Sequence, residues 1–209
     1  MARRPRPIKF YRRKGATRES YDLVLIVCEG EKTEPKYFTG LKQAYRLSNA
    51  NIRISAGEGS DPVSIVKYAL ERGQEFDQVF CVFDRDGHQN YQQALDKIAG
   101  SSMGKKGKFQ AIASVPCFEI WILLHFGYST APFVKTGNKS ACDKVVDAVR
   151  AHLPAYEKAF AGVFEQLQPR VVDAVNHGKQ LAQYNHETGS ENPATKVHEL
   201  VKYLRDLKK

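Results

Sequence analysis

Three short stretches of this chain are apolar almost without interruption, and each leads into a segment of helical character. Residues 21–28 (YDLVLIVC), 78–83 (QVFCVF) and 110–115 (QAIASV) lack the strict polar–apolar alternation of a strand with one wet face. Strands of this kind are covered on both sides, as in a parallel sheet packed between two helix layers. An apolar fraction of 42% with 26% charged residues excludes collagen-like, coiled-coil and wholly disordered chains.

The intervening segments supply the layers. Thr33 opens a helix with Pro35 in its first turn, and Tyr37, Phe38, Leu41, Ala44 and Leu47 follow helical spacing. Residues 52–55 form a short second strand, and Asp61–Pro62 is an N-cap followed by proline that starts a helix to about residue 72. Residues 91–99 predict another helix and 100–108 a loop rich in glycine, serine and lysine. Pro116 introduces an apolar helix over 118–126. The fold class is therefore α/β: an open, mostly parallel four-stranded sheet flanked by helices. From residue 130 the strand signals stop. Helices are predicted over 139–150, 156–166 and 169–183. Asn192–Pro193 repeats the cap-plus-proline signature before the stripe Val197, Leu200, Val201 and Leu204. The organisation read from these patterns is an arm over 1–18, an α/β domain over 19–129 and a helical extension over 130–209 packed on it.

Charge singles out the arm. The 209 residues carry a net charge of +9, and eight of those charges lie in residues 1–18, which contain no acid. Arg3, Arg4, Arg6, Arg12, Arg13 and Lys14 are candidate contacts to a nucleic-acid backbone, because lysine and arginine neutralise phosphates and release counterions. A solubilising leader is the alternative. The longest apolar runs, 23–28 and 120–126, are too short to cross a bilayer, and no apolar stretch follows the basic start as in a secretory signal. No membrane association is expected. Cysteines 28, 81, 117 and 142 form no C-x-x-C pair, so the expectation is four reduced, structural thiols in a cytoplasmic protein.

Two acidic clusters follow the buried strands immediately. The first is Glu29-Gly30-Glu31-Lys32-Thr33-Glu34, the second Asp84-Arg85-Asp86-Gly87-His88. Ligands of open α/β sheets bind outside the carboxyl ends of the strands, near the switch in strand order. If strands one and three are neighbours, Glu29 faces Asp84 and Asp86 across one crevice. Asp84 and Asp86, two apart, project from the same side of an extended backbone and repel unless a cation lies between them. Hard oxygen donors without a histidine or cysteine partner favour Mg²⁺ or Mn²⁺. Glu29, Asp84 and Asp86 are the candidate ligands of one ion, with Glu31 or Glu34 near a second. Two such ions would stabilise both oxygens of a phosphodiester displacement. The plainer alternative is that these acids end strands and cap helices. Glu119, a single carboxylate at the start of an apolar helix, either faces the crevice as ligand or base, aided by Ser114, or sits exposed at the helix terminus. His88 is a candidate phosphate or metal-water contact. His125 and Trp121 are read as packing residues.

The pattern of an apolar strand ending in Glu-Gly and a second ending in D-x-D resembles the TOPRIM domain of topoisomerases, primases and related nucleases over residues 22–126. The fuller wording, IVCEGEKTEPKYF, VFDRDGH, SVPCFEIWILLHF and NPATKVHELV, resembles the RloB-like family of prokaryotic proteins over residues 22–205. That resemblance implies a TOPRIM-like sheet and a place in restriction–modification and phage-defence loci. It makes Glu29 the first-motif glutamate and Asp84 and Asp86 the metal-binding aspartates. Glu34 resembles the second glutamate of the overcoming-lysogenization-defect nucleases, whose segment reads Glu-Gly-x-Thr-Glu; this chain has one residue more. Glu119 belongs to the third block. The implied activity is a Mg²⁺- or Mn²⁺-dependent nuclease on DNA or RNA. A non-catalytic module that binds nucleic acid or a protein encoded at the same locus, and a nucleotidyltransferase, use the same acids and stay open.

Overall fold

The computed structural model describes residues 22–47, 52–57, 59, 61–85, 88–158, 160 and 162–207. The basic arm and Asp86 lie outside the described residues.

Strand β1 (Val24–Cys28) is buried along its whole length and leads into helix α1 (Thr33–Ala44). Next come β2 (Ile52–Ala56) and α2 (Pro62–Arg72), whose N-cap Asp61 accepts from the backbone N–H groups of Val63 and Ser64. Strand β3 (Gln78–Asp84) is followed by α3 (Tyr91–Gly100) and a single turn, α4 (Ser102–Lys105). After β4 (Phe109–Val115) come α5 (Glu119–Leu123), α6 (Ala141–His152), α7 (Val163–Leu167) and α8 (Val171–Thr188). A two-residue strand β5 (Ala194–Thr195) and helix α9 (Val197–Asp206) complete the chain.

The sheet order is β2-β1-β3-β4-β5. The first four strands are parallel, and β5 pairs antiparallel with β4 through Ser114–Thr195 and Val115–Ala194. Because β1 lies beside both β2 and β3, its carboxyl end is where chain connections diverge to opposite sides, the position at which such sheets bind ligands.

Successive residues of β1 feed different layers, as the period of a strand requires. Leu25 and Val27 pack with α2 and α3 residues such as Ile65, Val66 and Ala94. Val24, Ile26 and Cys28 join a larger core with Tyr37 and Phe38 of α1, Trp121 of α5, Val145 of α6, Phe164 of α7 and Leu200 of α9. The C-terminal helices therefore share one apolar core with the sheet. Gly40 lets α1 approach α7 closely: a Cβ there would stand 2.7 Å from that of Phe164. Among the described residues no helix is long and apolar enough to cross a membrane.

Four local expectations need correction. The sheet has a fifth strand: Asn192 caps no helix but clips the preceding loop, with Oδ1 accepting from Phe133 N at 3.2 Å and Nδ2 donating to Phe133 O at 2.7 Å. The peptide bond to Pro193 is cis, and α9 starts only at Val197. The helix expected over 156–166 reduces to α7, because Gly162 takes a left-handed φ of 84° just before it. The apolar helix over 118–126 shortens to α5, and the loop over 100–108 contains α4, capped by Ser101.

Candidate active site

The carboxyl ends of β1 and β3 lie side by side, with Cys28 opposite Val82 in the ladder. Glu29 extends that ladder, its N–H donating to Val82 O at 2.9 Å. Its side chain is held at both oxygens: Oε2 accepts the N–H of Asp84 at 3.0 Å, and Oε1 lies 2.8 Å from Nε2 of His88. Asp84 is the last residue of β3, and its side chain is half-buried. Glu34, in the first turn of α1, is only 7% exposed and folds back over Gly30. A Cβ at residue 30 would stand 2.5 Å from Glu34 Oε2, so the glycine supplies the room that carboxylate occupies. Glu119, the first residue of α5, is 2% exposed. The hydroxyl of Tyr156 donates to its Oε1 at 3.2 Å.

Burial and neighbouring acids raise the proton affinity of Asp84 and Glu34, and burial raises that of Glu29. Asp84 is pushed well above the ordinary carboxylate range by burial first, then by Glu34, Glu119 and Glu29, against a smaller pull from Lys158. Glu34 is pushed up to about 7 by burial; its own backbone N–H and Lys158 pull down, and Glu119 and Glu29 push further up. Glu29 is raised by burial, opposed by the Asp84 N–H and by His88. Lys158 offsets part of this for Asp84 and Glu34, and His88 does so for Glu29, but burial outweighs both. Glu29, Glu34 and Asp84 offer oxygen donors alone. Oxygen donors are the kind a hard divalent ion such as Mg²⁺ or Mn²⁺ takes, but among the described residues the donor atoms that gather within 4.8 Å are those of Cys117, Glu119 and Cys142.

A cleft of about 700 Å³ opens beside these acids, lined by Arg85, His88, Tyr91, Asn185, Glu191 and Lys196 among others. It meets the acid cluster at His88, which touches Glu29, and at Arg85, which follows Asp84 in the chain. Arg85 is held across the cleft by Glu191, at 2.5 Å. Asp61, the cap of α2, binds Asn90 Nδ2 at 2.5 Å and so ties the loop after β3 to the end of β2.

Of the residues singled out in the sequence, Glu29, Glu34, Asp84 and Glu119 come together in one partly buried cluster, with His88 at its edge. Asp86 and the arm residues Arg3, Arg4, Arg6, Arg12, Arg13 and Lys14 lie outside the described residues. Ser114 does not assist Glu119: its hydroxyl is 2.9 Å from that of Thr195 across the β4–β5 pair. His125 is a packing residue, with Nδ1 bonded to Trp121 O at 2.9 Å, and burial lowers its pKa to about 4. Trp121 is fully buried.

The expectation of four reduced cysteines is corrected. Cys117 and Cys142 form a disulfide, because α5 and α6 pack together and bring residues 25 apart in sequence to a Cα–Cα distance of 5.7 Å. Cys28 and Cys81 are free and buried. Tyr156 and Lys158, which reach the site from the irregular segment after α6, carry no motif that a sequence reading could have found.

A family model described as RloB-like protein matches residues 24–204, from the start of β1 to within α9. No curated protein and no solved structure matches the chain.

Proposed function

This chain belongs to the RloB-like family, and we propose that it is a divalent-metal-dependent nuclease that hydrolyses phosphodiester bonds of DNA or RNA in prokaryotic phage defence, acting in the cytoplasm through a TOPRIM-like acid pocket. The observation that carries this reading is the meeting of Glu29, Glu34 and Asp84 at the carboxyl ends of β1 and β3, in a buried setting that disfavours their negative charge.

In this reading Glu29 and Asp84, with Asp86 two residues on in the chain, would hold Mg²⁺ or Mn²⁺, which would supply Lewis-acid polarisation to phosphodiester hydrolysis. The protein's own residues do the rest. The Asp84 N–H and His88 fix both oxygens of Glu29, so its carboxylate meets substrate pre-oriented. Glu34 rises to a proton affinity near neutrality, which suits a group that accepts the proton of an attacking water. Glu119 adds negative charge beside Asp84 and Lys158 offsets part of it. The cleft beside them would take the strand, with Lys196 of its lining as a contact to phosphates. The basic arm adds contacts to the backbone that carry no sequence information.

The test is incubation of the purified full chain with single- and double-stranded DNA and RNA in Mg²⁺, in Mn²⁺ and in EDTA. Cleavage that needs the metal and disappears in Asp84→Asn is the expected result. Cleavage indifferent to EDTA and to Asp84→Asn would overturn the reading. Binding without cleavage of any substrate would favour an interaction module.

A further inference from the structure

The two oxygens of Glu119 have unlike neighbours. Oε1 accepts the Tyr156 hydroxyl at 3.2 Å, whereas Oε2 faces Cys142 Sγ at 3.6 Å. The same sulfur lies 3.3 Å from Lys158 Nζ and is bonded to Cys117. Donor atoms of Cys117, Glu119 and Cys142 all lie within 4.8 Å of one another, and all three residues are buried. While the sulfurs are oxidised, Oε2 faces an atom that offers neither proton nor positive charge, a poor partner for a buried carboxylate oxygen.

We propose that reduction of the Cys117–Cys142 disulfide opens a site for one thiophilic divalent cation of the Zn²⁺ class, held by the two thiolates and by Glu119 Oε2. Ideal bonds of roughly 2.3 Å to sulfur and 2.1 Å to oxygen, at a tetrahedral angle, place the two donors about 3.6 Å apart. Cys142 Sγ and Glu119 Oε2 already stand at 3.6 Å. On the same ion the two sulfurs would sit about 3.8 Å apart, within reach of a small rotation about each Cα–Cβ bond once their bond is broken.

Charge and outer contacts agree with this. Two thiolates and a carboxylate bring three negative charges, which the divalent ion and the Lys158 ammonium balance. The Tyr156 hydroxyl holds the non-ligating oxygen of Glu119, the kind of outer hydrogen bond that orients a ligating carboxylate. Thiolate donors select this ion class over Mg²⁺, so the site differs in chemistry from the oxygen-only pocket of Glu29, Glu34 and Asp84. The step balances simply. A dithiol reductant gives two electrons and two protons to the disulfide and leaves as its own disulfide; the entering cation then releases the two thiol protons to solvent. The proposal does not rest on the nuclease reading.

Cobalt(II) is the probe, because thiolate ligation gives it a sulfur-to-metal charge-transfer band. The full chain, reduced without oxygen, should bind one cobalt ion with that band, and Zn²⁺ should displace it. The same chain oxidised with diamide should show no band, a comparison that needs no substitution. Cys117→Ser and Cys142→Ser, checked for fold by circular dichroism, should lose the band. Glu119→Gln should keep the band and weaken binding on the order of tenfold. No stoichiometric cobalt binding by the reduced chain would overturn the proposal. So would a band that persists in Cys117→Ser or in the oxidised chain.

Discussion

Replacing Glu34 by glutamine should make this protein more stable at alkaline pH and change nothing at acidic pH. Burial, Glu119 and Glu29 raise the Glu34 carboxyl from its ordinary 4.5 to about 7, and a shift of that size corresponds to about 3 kcal/mol. Below pH about 4 the group is protonated in folded and unfolded chains alike and contributes nothing. Between about 4.5 and 7 the unfolded chain releases the proton that the folded chain keeps, so stability falls as pH rises. Above 7 the folded chain carries a buried charge at full cost. Glutamine has the same shape and no charge to bury, so Glu34→Gln should exceed the wild type by about 3 kcal/mol at pH 8, less whatever attraction to Lys158 is lost. For a chain of this size that is roughly 6–12 °C in Tm. Thermal unfolding of both proteins from pH 4 to 8 in EDTA reads the difference directly. Millimolar Mg²⁺ should then stabilise the wild type at pH 8 and narrow the gap, because the ion binds the folded state alone. Parallel stability curves across the whole range would refute the placement of Glu34 in a charge-repelling pocket.

Asp84→Asn should abolish Mn²⁺ binding, measured by calorimetry, and leave Tm equal or higher, since a carboxyl raised by burial and three neighbouring acids disfavours its own ionisation. Gly30→Ala should leave Tm nearly unchanged, because the new Cβ meets the movable end of Glu34, but it should weaken metal binding by displacing that carboxylate; unaltered metal affinity would contradict the role given to Gly30. Deletion of residues 1–18 should lower the slope of log K against log salt on duplex nucleic acid by roughly 3–5 if four to six of the side chains meet phosphates, and identical slopes would make the arm a solubilising leader.

The parts of the fold that sequence revealed are those set by local apolar pattern. The unbroken run ending at Cys28 and its counterpart ending at Phe83 are buried parallel neighbours, and the acids just beyond them meet as their strand-end positions require. What stayed hidden depends on contacts between distant segments. Strand β5 has two residues and no periodicity, and the Asn192–Pro193 pair before it mimics a helix start. Tyr156 falls in a stretch of helical composition, yet it turns inward to reach Glu119. The Cys117–Cys142 pair depends on how α5 meets α6, which spacing alone does not encode. Glu119 stands out in sequence as a carboxylate on an apolar helix, but its partners do not, because Tyr156 and Cys142 arrive from beyond residue 140.

The most direct measurement is the anomalous difference map of a crystal of the full chain grown in Mn²⁺. The account predicts a peak within coordinating distance, roughly 2.0–2.5 Å, of carboxylate oxygens of Asp84 and of Glu29 or Glu34. A well-ordered pocket with no peak there, or manganese bound only at other carboxylates, would contradict it.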